Sequence, residues 1–342
     1  PLHNDEAVNA VKVSELWQDG RYGYDPIECH GPLLHYATLP FLWLSGARQA
    51  DELDDATLRL APVAFGVGLI LLLLLFVDGL GRHAIVWAAL FTAASPAMVF
   101  YSRYFIHEML LVFFTALTLG AGWRYAQTRL ARWAVATGAG AGLMFATKET
   151  SVIALAAMGL AGLATAWSRK PRRAGVQRLI EVWNCKHAGL ALLAAFVVWL
   201  LLFSSFFTHF GGLADSFRTY LPWLKRAGGH SPHNHPWSFY LARLAWFHPV
   251  KGPAWSEGLI LVLAALGAAV SLARKKFPLH RFLAFYTIIL TVAYSLISYK
   301  TPWCLLGFFH GMILLAGIGA AALVEFFRAR PFRVLAIAML LA

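Results

Sequence analysis

Asp5 and Glu6 are adjacent carboxylates just ahead of a long series of apolar segments. The next isolated acid of interest, Glu108, leads an apolar run, MLLVFFTALTL, and is flanked closely by apolar residues. A carboxylate at such a position can take a proton from a hydroxyl, and ionisable groups at membrane depth point to function before structure. Asp5 also falls at or just before a helix N-terminus, where a carboxylate is a favourable cap, and cap and base are compatible roles. Three cations stand at the ends of apolar segments: Arg59, Lys148 in ATKET and Lys300 in SYKTPW. Each alone is an ordinary snorkelling anchor, but three around one cavity would suit a phosphate-bearing lipid headgroup. Arg103, five residues before Glu108, joins this cationic set and is also the expected ion-pair partner of Glu108. A loop, His230-Ser231-Pro232-His233-Asn234-His235-Pro236-Trp237, carries His233 and His235 two residues apart. That spacing is no zinc signature, so substrate contact or loop packing competes with metal binding there. Asp5, Glu108, His233 and His235 are the candidate ligands for a divalent metal such as Mg or Mn, which the acids could use or do without.

The elements that position these residues follow from composition. Of 342 residues 59% are hydrophobic and 13% charged, which a soluble domain of this size could not bury. The apolar runs are continuous rather than alternating, so spanning helices of about 20 residues are expected and not a barrel. Candidate spans run at 57–80, 84–101, 106–123, 133–148, 150–167, 188–207, 256–273, 282–299, 303–324 and from 331 onward. The stretch Leu33–Leu44 is too short to span and contains Pro40, so it is expected to be interfacial or re-entrant, with Tyr36 and Trp43 at headgroup level.

Alternating the sides places 17 of the 29 Lys and Arg residues in the short connectors around 81–83, 124–132, 168–187, 274–281 and 325–333. By the positive-inside rule these connectors are cytoplasmic. Of the 17 acids only Asp78, Glu181 and Glu325 fall with them. The other side then holds residues 1–56, the Tyr101–Glu108 and Thr147–Glu149 turns, the long loop 208–255 and the Tyr299–Trp303 turn. The expected organisation is a first extracytoplasmic loop, 1–56, followed by a transmembrane bundle, 57–342. An outer Pro1 calls for a preceding span, and Ala342 lies within an apolar run, so both ends read as truncations. The net charge of +12 is explained by topology, which removes nucleic acid as a partner. Cys29, Cys185 and Cys304 show no metal spacing, and topology puts Cys185 opposite the other two.

The order of DEA in the first outer loop, HGPLLHY after it, LRL opening a span, SRYFIHEMLLVFF, KET and YKTPW carries a resemblance over nearly the whole chain. It resembles the C-type (GT-C) polytopic membrane glycosyltransferases of the protein O-mannosyltransferase and aminoarabinose transferase superfamily. Within that group it is most similar to the archaeal and bacterial branch called flippase activity-associated. The resemblance implies an all-α, polytopic GT-C fold. It also implies transfer of a sugar from a polyprenyl-phosphate donor to a hydroxyl of a protein, lipid or glycan acceptor at the extracytoplasmic face. Asp5 matches the family's first-loop catalytic aspartate, the expected general base, and Glu6 its acidic neighbour. Glu108 stands where many relatives carry aspartate. Arg59, Lys148 and Lys300 would hold the lipid phosphate, and the family's usual first span before Asp5 is missing. Two rivals are a lipid-linked sugar flippase and a non-catalytic scaffold. Acids crowding one surface, with span centres nearly free of charge, favour surface chemistry over passage.

Overall fold

The computed structural model describes residues 2–49, 52–168, 184–229, 231–249, 252–274, 277–327 and 329–341. The basic connector residues 169–183, Lys275, Lys276, Arg328 and His230 lie outside these. Among the described residues the chain is helical, with two isolated β-bridges, Asn234 to Tyr299 and Phe247 to Trp255. The first segment forms α1 (Asn4–Asp19) and α2 (Leu33–Ser45). The bundle follows as α3 (Asp55–Leu72), α4 (Val77–Leu80), α5 (Arg82–Ala94), α6 (Pro96–Tyr101), α7 (Glu108–Thr128), α8 (Ala131–Phe145), α9 (Ser151–Trp167) and α10 (Cys185–Phe203). After α10 come the short helices α11 (Gly211–Arg218), α12 (Tyr220–Gly228) and α13 (Phe239–Ala245). The last part is α14 (Gly258–Ala273), α15 (Pro278–Leu296), α16 (Leu306–Phe326) and α17 (Arg330–Leu341).

Helices form in every expected span. Five are long and apolar enough to cross a membrane: Asp55–Leu80, Glu108–Thr128, Cys185–Phe203, Pro278–Leu296 and Pro302–Phe326. Ser151–Trp167 and Gly258–Ala273 are apolar but shorter. This is a polytopic helical membrane protein. α16 lies at its centre, packed against α5, α14 and α15, and 78% of its apolar window is buried. α10 lies at the edge against α8, with only 11% buried. Lipid supplies no hydrophobic drive between helices, so close backbone approach has to do the work. Gly267 of α14 and Gly319 of α16 show this, because a Cβ at either would fall within 2.1 Å of the carbonyl oxygen of Leu315 or Leu263.

The stretch expected to span 84–101 is interrupted. Ser95 ends α5, and its hydroxyl caps Met98 N–H of α6. The buried carboxylate of Glu257, just before α14, accepts from Ser95 Oγ at 2.7 Å and from Ala97 N–H at 2.9 Å. The acid supplies the partners that the broken helix end exposes. α2 forms over the stretch expected to be interfacial, with Pro40 inside it and Trp43 exposed. The three cysteines are free thiols.

Candidate active site

α1 starts behind His3 with a capping box in which Glu6 accepts the His3 backbone N–H at 3.0 Å. Consecutive helical residues point about 100° apart, and here that rotation separates the two acids. Glu6 turns inward and is 1% exposed. Arg59, in the first turns of α3, donates Nε and Nη2 to its two oxygens, each at 2.8 Å, and Phe105 N–H donates at 2.9 Å. Burial pushes the Glu6 carboxyl up, but the donors from Arg59, Phe105 and His3 outweigh it and hold the group below the usual carboxylate range. Nearby, Asn9 Nδ2 donates to the Phe105 carbonyl at 3.1 Å. Glu6 and Arg59 therefore fasten α1 to α3 and to the turn before α7.

Asp5 turns the other way. Its carboxylate is about half exposed, with Oδ2 3.2 Å from His3 Nδ1, and it faces a cavity of about 430 Å³. The cavity lies at one end of the bundle, lined by loops and helix ends from the first segment, the α8–α9 turn, the start of α12, the His233 loop and the α15–α16 turn.

On another wall stands Lys148-Glu149, in the α8–α9 turn. Lys148 is buried and its Nζ pairs with Glu108 Oε1. The partner expected for Glu108, Arg103, does not reach it. Arg103 sits exposed in the turn after α6, while the α8–α9 turn delivers Lys148 to the first residue of α7. Cys304 Sγ lies 3.8 Å from the same Nζ. Lys148 lines the cavity; Glu108 stands behind it.

Glu149 is a group that sequence reasoning passed over. It is 5% exposed, accepts from His30 Nδ1 at 2.7 Å, and takes a weaker contact from Thr219 Oγ1 at 3.4 Å. Burial raises its carboxyl, yet His30 and the other local donors bring it below the usual range. The bond fixes His30 with Nδ1 as donor and leaves Nε2 for the cavity, which His30 lines. His30 is placed by its neighbour Gly31, where a Cβ would fall 2.1 Å from the Ala146 carbonyl oxygen. Leu33 N–H donates to that same oxygen at 3.0 Å, and His107 Nε2 donates to the Gly31 carbonyl at 3.1 Å. The His107 ring packs edge-on against both His30 and His35. Burial, with smaller contributions from His30, His35 and Lys148, pushes His107 well below the ordinary histidine value, so it is neutral. Both residues sat inside motifs that were already conspicuous, HGPLLHY and KET; the signal was a polar residue beside each.

Lys300 and the histidine loop form a clasp. Lys300 is 1% exposed, and its ammonium donates to the carbonyls of His235, at 3.1 Å, and Ile297. Its backbone N–H donates to the His233 carbonyl at 2.8 Å. His233 lines the cavity with its ring against Tyr299, whereas His235 stacks on Phe239 at 4.1 Å. The two histidines thus rest on different rings. Among the described residues no three of His, Cys, Asp or Glu are placed to hold a metal. Of the four candidate ligands Asp5 and His233 line the cavity, whereas Glu108 and His235 do not.

Residues 30–213 match the family described as dolichyl-phosphate-mannose-protein mannosyltransferase. No curated protein matches the chain. Among solved structures the chain is similar to ArnT from Cupriavidus metallidurans bound to undecaprenyl phosphate, with a TM-score of 0.70 at 17% identity. That likeness covers 99% of this chain and 59% of ArnT. The apo form of the same protein gives 0.66 at 15% identity, over 96% of this chain and 56% of that one. An oligosaccharyltransferase from Archaeoglobus fulgidus, in complex with Zn and sulfate, gives 0.63 at 15% identity over 98% of this chain and 47% of its own. The likeness is one of fold, and the chain spans little more than half the length of ArnT.

Proposed function

Since the chain belongs to the dolichyl-phosphate-mannose-protein mannosyltransferase family, within the C-type membrane glycosyltransferases, we propose that it transfers a sugar from a polyprenyl-phosphate-linked donor to an acceptor hydroxyl. We assign the reaction to the extracytoplasmic face, a reading supported by the excess of Lys and Arg in the opposite connectors. The acceptor oxygen attacks the anomeric carbon from the side opposite the phosphate. The bond from that carbon to the phosphate oxygen breaks, the configuration inverts, and the acceptor proton passes to a carboxylate. Polyprenyl phosphate leaves without needing a proton.

Asp5 is the base. The observation that carries this is the division of labour between two neighbours: Asp5 is open to the cavity, whereas Glu6 has every oxygen engaged by donors. Glu6 and Arg59 are positioning residues that set where Asp5 stands. Lys148 faces the same cavity and brings positive charge toward a leaving phosphate, with Glu108 behind it holding the ammonium in place. His30, oriented by Glu149, supplies a further polar contact for the bound substrates. Lining drawn from loops and helix ends fits chemistry at a membrane surface better than passage through the bilayer midplane.

The test is transfer of radiolabelled sugar from polyprenyl-phosphate donors by the purified protein, wild type against Asp5→Asn. Transfer that vanishes in the variant, with its folded state intact, is expected. Near-normal turnover by Asp5→Asn would overturn the base assignment, and wild type inert with every donor would overturn the reaction. Parallel assays with chelator read out any requirement for a divalent metal.

A further inference from the structure

The chain leaves α10 through a turn in which Ser205, Phe206 and Phe207 all have positive φ, at 50°, 52° and 70°. It is held by Phe206 N–H to the Leu201 carbonyl and His209 N–H to the Ser204 carbonyl, each at 2.8 Å. Left-handed backbone at three successive residues without glycine is costly, so a compensating gain is called for. The two aromatic side chains in that turn, Phe206 and Phe207, are both about half exposed.

From the turn the chain enters α11 and α12, which carry two stripes at helical spacing. Gly212, Ser216, Thr219 and Trp223 form the inner one. A Cβ at Gly212 would fall 2.1 Å from the Phe203 carbonyl oxygen, and Ser216 Oγ accepts from Trp199 Nε1 at 3.1 Å. Thr219 bonds Glu149, while Thr219 and Trp223 line the cavity. Phe210, Phe217, Leu221 and Leu224 form the outer stripe, at 61%, 60%, 64% and 59% exposure. Offsets of three, four and seven residues put these on one side. Arg218 and Lys225 are exposed beside that stripe.

We infer that the Phe210–Leu224 stripe, with Phe206 and Phe207, lies in the headgroup-to-acyl boundary of the lipid bilayer. α11 and α12 would then be an in-plane wall between the membrane and the cavity. The partner is the lipid surface and not a protein, because the exposed face continues directly from α10, which packs on α8 and, with only 11% of its apolar window buried, leaves its remaining surface to lipid. Amphipathic helices with flanking cations settle in this way, apolar side down and cations at the headgroups. The inner stripe then gives one cavity wall a position set partly by the bilayer. A lipid-linked molecule approaching from the membrane would meet this wall first. The inference rests on the membrane fold and not on the proposed reaction, and its test does not measure catalysis.

Single cysteines at Phe210, Leu221 and, as a control on the flank, Lys225 are labelled with an environment-sensitive fluorophore in a Cys185→Ala background, with the protein in nanodiscs. The expected result is blue-shifted emission at positions 210 and 221, lost with brominated lipids and insensitive to aqueous iodide, with the reverse behaviour at 225. Quenching of 210 and 221 by iodide would overturn the inference. So would protection from both quenchers, which would mean that protein covers the stripe. The label sits at an exposed position, so folding is not at stake, and two stripe positions guard against a single misplaced probe.

Discussion

Asp5 and Glu6 should give opposite phenotypes although they are adjacent. Arg59→Met removes two 2.8 Å bonds from a carboxylate that is 1% exposed. Hydrogen bonds to charged groups contribute about 1.5–3 kcal/mol each, and stripping one partner from a buried ion pair costs about 3–5 kcal/mol. Two backbone donors stay in place, and the Arg59 side chain is 30% exposed, so water restores part of the loss. The expected destabilisation is about 2–4 kcal/mol, with a similar value for Glu6→Gln. The Arg59→Met, Glu6→Gln double variant should lose clearly less than the sum, because neither change then strands a charge. Asp5→Asn should leave unfolding unchanged and abolish transfer. The sign with pH follows from the lowered Glu6 carboxyl: its contribution is complete above the ordinary value of 4.5 and is lost as pH falls through the lowered one. Unfolding of the detergent-solubilised protein, followed by helical circular dichroism at neutral pH, measures all four variants. Arg59→Met within about 0.5 kcal/mol of wild type, the ordinary range for surface changes, would refute the clasp. Strictly additive losses would refute the coupling.

Lys148→Met should destabilise by about 3–5 kcal/mol by leaving Glu108 buried and unpaired, and adding Glu108→Gln should recover part of this in the same unfolding assay. Gly31→Ala should cost about 1–3 kcal/mol through its contact with Ala146 and should raise KM for donor or acceptor by displacing His30. His35 is pushed down to about 3 by burial, and His107 is also held low, so both stay neutral as the unfolded chain takes up protons. Stability should therefore fall as pH drops below the ordinary histidine value of 6.5, by up to about 1.4 kcal/mol per pH unit for each group. Unfolding measured from pH 7.5 downward in wild type and His35→Phe checks this: the variant should show a shallower slope, and identical slopes would contradict it.

The spans were legible because long apolar runs are local properties, and helices formed in every expected stretch. The break at Ser95 has a local cause, Pro96, which lacks an N–H and turns Ser95 into extended backbone, but it lay unremarked inside a long apolar run. The acceptor for the exposed end, Glu257, was not legible, because a lone acid before an apolar run looks like any other helix start. The acid pair was conspicuous in the sequence, but adjacency made the two residues look alike until the helical rotation of α1 sent one to the cavity and the other to Arg59. Glu108 drew its partner from the α8–α9 turn, whereas short sequence distance had pointed to Arg103. Glu149 and His30 met only through the docking of Gly31 onto Ala146, a fit of backbone to backbone that side-chain types do not announce.

The acid that caps α6 ties together parts of the chain that a designer would treat as separable. Glu257 belongs to the approach to α14, but the helix end it serves leads to the turn whose Phe105 N–H holds Glu6. A chimera exchanging α14 between relatives would carry, or omit, the fastening of a joint on another helix. Exchange at the boundary Glu257–Gly258 should therefore be judged by whether the incoming segment brings its own acceptor for Ser95 and Ala97. The modular unit is the helix together with the residue that precedes it.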